Sequence, residues 1–233
     1  MSTLHLPDSA ATTSRRSFFK RAGLGLGVVA SASTLQACDS DDVVADAVTL
    51  DFSNDFGVLN YAYALEQLEY AFYEAVLDGE YFEGLGTSGA EGDVRQVLQD
   101  LRDHELAHVD FLNAALGNNA IPELTADFDA VNFGSRQSVL ETARLLEDTG
   151  VSAYNGAGKY LRDAGLLTVA GKIVSVEARH AAAIRDILLG GVAFAGDDVV
   201  DEQGLDVVAE PGEVLADAGG FIVERLRVIN LPS

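Results

Sequence analysis

Apolar residues recur at helical spacing over four long stretches of the chain, and each stretch is expected to be an α-helix. The first runs from about Asp55 to Leu77, opened by the capping pair Asn54-Asp55 and closed by Gly79. The second runs from about Asp93 to Leu116 and stops at Gly117. The third covers about Ser135 to Ala164, and the fourth about Leu166 to Leu189, ending in Gly190-Gly191. The stripe on the second helix reads Val94, Leu98, Leu101, Glu105, His108, Leu112, Ala115. On the fourth it reads Leu166, Ala170, Ile173, Glu177, His180, Ile184, Ile187. Both stripes thus contain a glutamate and a histidine three residues apart, on the face that points inward. A buried glutamate is costly unless it is paired, hydrogen-bonded or bound to a metal.

Connection lengths set the architecture. Short links join helices one to two and three to four, whereas the aperiodic stretch "NNAIPELTADFDAVNFG" joins two to three. The expected fold is all-α: a ferritin-like four-helix bundle with a long crossover between helices two and three. The expected organisation is an export signal over 1–37, an acidic tether over 38–53, the bundle over 54–191, and a C-terminal tail over 192–233. The tail has weak periodicity and is read as irregular and wrapping, with a short helix near Glu213 to Ala216.

The chemistry-bearing residues repeat. Helix one carries Glu66 with Tyr73 seven residues on, and helix three carries Glu147 with Tyr154 at the same offset. Helices two and four carry Glu105-x-x-His108 and Glu177-x-x-His180. The order Glu, ExxH, Glu, ExxH is an internal duplication. Two helical turns separate each tyrosine from its glutamate, so both lie on one face, and the hydroxyl could donate across the bundle to a ligand carboxylate. Glu66, Glu105, His108, Glu147, Glu177 and His180 therefore form a candidate ligand set for two metal ions. Glu105 and Glu177 would bridge, Glu66 and Glu147 would cap the ends, and the mixed oxygen and nitrogen donors suit two Fe or two Mn ions. Zinc, or no metal at all, stays open. Glu69, one turn from Glu66, competes for the first-helix position, but the tyrosine spacing favours Glu66. Glu141 competes with Glu147 less well, having no tyrosine seven residues on.

The letters His104-Glu105-Leu106-Ala107-His108 also satisfy the zinc-protease pattern H-E-x-x-H. That reading needs both histidines on one zinc, yet His104 falls off the stripe and is expected at the surface. Only Glu-x-x-His is duplicated in helix four, where Val176 precedes Glu177.

Charge and the N-terminus complete the picture. A formal net charge of −22 repels phosphate backbones, which argues against nucleic-acid binding. "SRRSFFK" (Ser14 to Lys20) is a twin-arginine pattern followed by the apolar run "AGLGLGVVASAS", which is too short to span a membrane. "LQAC" then ends in Cys38, the only cysteine, at a position resembling a lipobox. The expectation is export through the twin-arginine route to the periplasm or cell envelope, with any membrane attachment through lipidated Cys38.

The segments "VLNYAYALEQLEYAFYEAVL", "DHELAHVDFLNAALG", "SVLETARLLEDTGVSAYNGA" and "KIVSVEARHAAAIRDILL" resemble the four helices of bacterial ferritin-like domain proteins, a group similar to desiccation-related proteins. The resemblance covers about residues 50–190 and implies a ferritin-like bundle with a potential di-metal site. A redox protein acting on oxygen or peroxide, with ferroxidase, peroxidase or catalase-like activity, is one expectation. A non-catalytic stress or desiccation-related envelope protein that binds metal weakly or not at all is the alternative. A homo-oligomer is compatible with either.

Overall fold

Asn54 opens the first helix: extended itself, its side chain accepts the Phe56 N–H at 2.9 Å. In this computed structural model, which describes residues 47–191 and 194–231, strand β1 (Val48–Asp51) leads through that cap into α1 (Asp55–Leu77). There follow a short α2 (Glu80–Gly84), then α3 (Gly89–Leu116), α4 (Arg136–Ala157) and α5 (Ala164–Leu189). The tail contributes α6 (Pro211–Ala218) and β2 (Leu226–Ile229). The export signal and Cys38 lie outside the described residues. No described helix is long and apolar enough to cross a membrane.

Helices α1, α3, α4 and α5 form the expected all-α bundle. Cross-links at each end show that neighbours run antiparallel. Asn60 meets Asn119 while Glu74 meets Arg102 (α1 with α3), and Tyr73 meets Glu147 while Tyr154 meets Glu66 (α1 with α4). The link from Gly117 to Ser135 therefore returns along the bundle. Its backbone is held by α1, where Asn60 Oδ1 accepts the Ile121 N–H at 2.8 Å and Gln67 Oε1 accepts the Leu124 N–H at 2.9 Å. Farther along, the Tyr81 N–H reaches the Phe133 carbonyl at 3.0 Å.

Several boundaries differ from the periodicity-based expectation. Helix α3 starts at Gly89, ahead of Asp93, and the separate turn α2 precedes it, with Phe82 buried. Arg95 stabilises that turn by donating to the carbonyls of Phe82 and Leu85 at 2.7 and 2.9 Å. Helix α4 ends at Ala157, well short of Ala164, and gives way to a 3-10 turn at Gly158–Tyr160. Asp163 then caps α5, accepting the Leu166 N–H at 2.9 Å. The backbone N–H groups of Arg162 and Asp163 are fixed by the Asp55 carboxylate at 3.0 and 2.9 Å.

The segments flanking the bundle are more ordered than their composition suggests. The end of the acidic tether is β1, which pairs in parallel with β2, with Val48 opposite Leu226. Leu50 and Phe52 are fully buried beneath this pairing. The tail helix spans Pro211–Ala218, longer than the Glu213 to Ala216 stretch expected, because Pro211 occupies its first turn and Glu210 with Glu213 forms a capping box. Buried Arg185 of α5 ties the tail down, donating to Asp148 of α4 at 2.6 and 2.9 Å and to Asp198 at 2.9 and 3.2 Å.

The apolar core is divided. One cluster contains Phe72, Tyr73, Leu98, Leu101, Leu140 and Ile184. The other contains Leu59, Tyr63, Leu112, Leu116, Tyr154 and Ile173. On α3 and α5 the residues between the two clusters are Glu105 with His108, and Glu177 with His180. The stripes thus carry a polar layer across the middle of the bundle.

Candidate metal centre

Each long helix delivers its share of that layer. Glu66 comes from α1, Glu105 and His108 from α3, Glu147 from α4, and Glu177 and His180 from α5. All four glutamates are fully buried, and His180 is 4% exposed. The side chains form two overlapping groups whose donor atoms lie within 4.8 Å of one another: Glu66, Glu105, His108 and Glu177, and then Glu105, Glu147, Glu177 and His180. Glu105 and Glu177 belong to both. All six residues singled out from the sequence are brought together.

Both imidazoles present Nδ1 to the carboxylates. Around His108 Nδ1 lie Glu177 Oε1 at 3.0 Å, Glu66 Oε2 at 3.1 Å and Glu105 Oε2 at 3.2 Å. Around His180 Nδ1 lie Glu105 Oε1 at 2.8 Å, Glu147 Oε2 at 3.5 Å and Glu177 Oε2 at 3.5 Å. A ring nitrogen carries one proton at most, so three oxygens around each exceed what hydrogen bonding satisfies. Glu105 Oε1, Glu147 Oε2, both Glu177 oxygens and His180 Nδ1 indeed make no hydrogen bond of good geometry, close as some of them are. Buried polar atoms are rarely left so. A shared cation would satisfy them all.

The tyrosines cross between halves. Tyr73 on α1 donates to Glu147 Oε1 on α4, and Tyr154 on α4 donates to Glu66 Oε1 on α1, each at 2.5 Å. Each end carboxylate therefore has one oxygen held by a phenol and the other turned to an imidazole. Burial, then the adjacent carboxylate, pushes both phenols well above the ordinary tyrosine value, so they remain donors.

The electrostatics are those of a crowded anionic cavity. Burial raises Glu147 to about 7 despite the opposing influence of the His180 imidazole nearby. Burial and the Glu177 charge hold Glu105 well above its usual value. Burial opposes ionisation of Glu177 as well, but the imidazoles of His108 and His180 close beside it outweigh burial and bring that carboxyl down to about 2. Burial would lower His108, yet Glu105, Glu177 and Glu66 raise it to about 12; His180 is raised in the same way.

Two further residues bear on this layer. His104 is exposed, as expected, yet its Nδ1 lies 3.0 Å from His180 Nε2, with the two ring planes within 8° of parallel. Burial, and then the charge of His180, lowers His104 below the ordinary histidine value. The ring-to-ring contact fixes His180 with Nδ1 toward the carboxylates. Helical periodicity missed it because His104 reaches past the stripe toward α5. Glu69, the rival of Glu66, is also buried, but it belongs to neither four-residue group. Glu66 is the α1 carboxylate that meets His108. Glu141 instead faces Gln137 on the exposed side of α4, where its Oε1 accepts at 2.6 Å. The zinc-protease arrangement is absent: His104 turns to His180, whereas His108 turns to the glutamates.

A crossover four-helix bundle with a buried layer of glutamate and histidine able to hold metal defines the class of protein. The ferritin-like domain family model matches residues 54–190, more than half of the chain, and the chain belongs to that family. No curated protein matches the sequence.

Proposed function

We propose that the chain binds two Fe or two Mn ions in this cluster and acts on dioxygen or peroxide. The observation that carries the reading is the pair of imidazole Nδ1 atoms, each ringed by three carboxylate oxygens within 3.5 Å, with several of those buried atoms left without hydrogen bonds. Glu66 and His108 would serve one ion, Glu147 and His180 the other, and Glu105 and Glu177 both. Four carboxylates offset the charge of two divalent ions, and the donor set of oxygens with one nitrogen per ion suits Fe or Mn. Bound there, such ions supply one-electron steps to oxygen or peroxide. The protein's own part is to fix the ligands through Tyr73, Tyr154 and His104, and to exclude bulk water with the two flanking apolar clusters.

In the same reading the protein works outside the cytoplasm, exported by the twin-arginine segment and held at the membrane through a lipid on Cys38. Mass spectrometry of the mature N-terminus in a membrane fraction checks this: a lipidated Cys38 is expected, and an uncleaved cytoplasmic chain contradicts it.

Anaerobic titration with Fe(II) or Mn(II), followed by oxygen or peroxide, tests the central reading. Saturation at two ions per chain with consumption of the oxidant is expected. Two bound ions without turnover would remove the redox claim and leave the non-catalytic envelope role. Failure to take up either ion would remove both the metal and the redox claims.

A further inference from the structure

The duplication breaks at one inward position. Adding 81 to Glu66 and Tyr73 gives Glu147 and Tyr154, and the same offset carries Glu69 onto Gly150. Glu69 is only 3% exposed, and its Oε2 has no hydrogen-bond partner. Gly150 lies in the interior of α4, where glycine costs about 1 kcal/mol relative to alanine. The two unfavourable features occupy the same space. A Cβ on Gly150 would stand 2.8 Å from Glu69 Oε1 and 3.6 Å from Glu177 Oε2. The absent methyl leaves a notch, and the Glu69 carboxylate fills it, on the side where Glu177 serves both halves of the cluster.

We propose that Glu69 is a seventh ligand-bearing side chain of the centre, a fifth carboxylate admitted by the Gly150 notch, which engages a bound divalent cation together with Glu177. This rests on the two-metal reading above. A glutamate kept only for packing would be replaced at little cost by an apolar residue, since a buried carboxyl with an unpartnered oxygen is unfavourable. A glycine kept only for packing would have no reason to face that carboxyl. Together they make a position that costs the metal-free protein stability and favours the loaded one.

The test is a double-mutant cycle on the full mature chain, with Mn(II) and Fe(II) as probes under anaerobic conditions. Glu69→Gln keeps the volume and removes the charge; Gly150→Ala keeps Glu69 and fills the notch. Each single variant is expected to lose roughly tenfold or more in affinity for at least one ion. The double variant should be no weaker than Glu69→Gln, since both act through one carboxylate. The Mn(II) electron paramagnetic resonance spectrum should change in Glu69→Gln, while its metal-free melting temperature stays level or rises. Wild-type affinity and spectrum in Glu69→Gln, beside a wild type that takes up two ions, overturns the Glu69 assignment alone. Losses that simply add in the double variant overturn the notch. No uptake by the wild type overturns the two-metal reading and this assignment with it.

Discussion

The two halves of the centre carry the same residue types at the same spacing, yet they sit in different surroundings. The His180 half is closed: its ring is 5% exposed at the side chain and is braced from behind by His104. The His108 half is looser, with 13% of its side chain exposed, and it borders a surface depression of about 350 Å³ lined by Ala107, Phe111, Val169, Lys172, Ile173 and Val176. The halves also differ at one position of the repeat. An offset of 72 carries Glu105 and His108 onto Glu177 and His180, and carries His104 onto Val176. Where one half has an imidazole to hold its ligand, the other has a valine in the wall of an opening. On the two-metal reading proposed above, a duplicated ligand set would support two unequal positions, one enclosed and one beside an opening to solvent.

The sharpest way to break this comparison is to remove the histidines one at a time. His180→Ala and His108→Ala should each reduce the bound metal from two ions to about one, read by elemental analysis after desalting. If either variant still holds two, the ligands do not divide as described. Next in size is His104→Ala, expected to weaken the ion on the His180 side by roughly 10–100-fold, as loss of a partner that orients a metal-bound histidine commonly does. The His108 side should be unchanged, and equal weakening of both ions would dissolve the asymmetry.

Acidity gives a moderate effect of known sign. Metal binding needs Glu147 ionised, and burial raises this carboxyl to about 7 in the metal-free protein. His108, raised to about 12 against the opposing effect of burial, must also give up its proton to bind metal. Uptake should therefore release protons and tighten as the pH rises from about 6 to about 8. Calorimetry in buffers of different ionisation enthalpy measures the release, and uptake that ignores pH would contradict it. The smallest effect concerns access. Val176→Phe should slow metal uptake and chelator removal severalfold through the depression beside His108, with little change in final stoichiometry. Unchanged rates would place the route elsewhere.

Much of this was legible in the sequence because helical periodicity and burial speak the same language. Glu105, His108, Glu177 and His180 interrupt apolar stripes, and that interruption pointed to the layer where the structure brings them together with Glu66 and Glu147. What stayed hidden depends on contacts between helices. His104 lies off its own stripe, and only the approach of α5 shows that it meets His180. The relation between Glu69 and Gly150 is likewise invisible along one helix, although overlaying helix one on helix three would have exposed the unmatched pair. Strands β1 and β2 escaped notice because each is four residues long and finds its partner at the opposite end of the bundle sequence. Helix α4 is shorter than the periodic stretch because the chain leaves it at Gly158 in a 3-10 turn and turns back to reach the Asp163 cap.

Elemental analysis of the mature protein, purified without added metal or chelator, beside a Glu105→Ala/Glu177→Ala variant, tests the central claim most directly. Both shared carboxylates are removed at once, and circular dichroism shows whether the bundle persists. The account predicts about two Fe or Mn per wild-type chain and almost none in a folded variant. Equal metal in the two proteins, or a wild type that neither carries nor takes up Fe(II) or Mn(II), would contradict it.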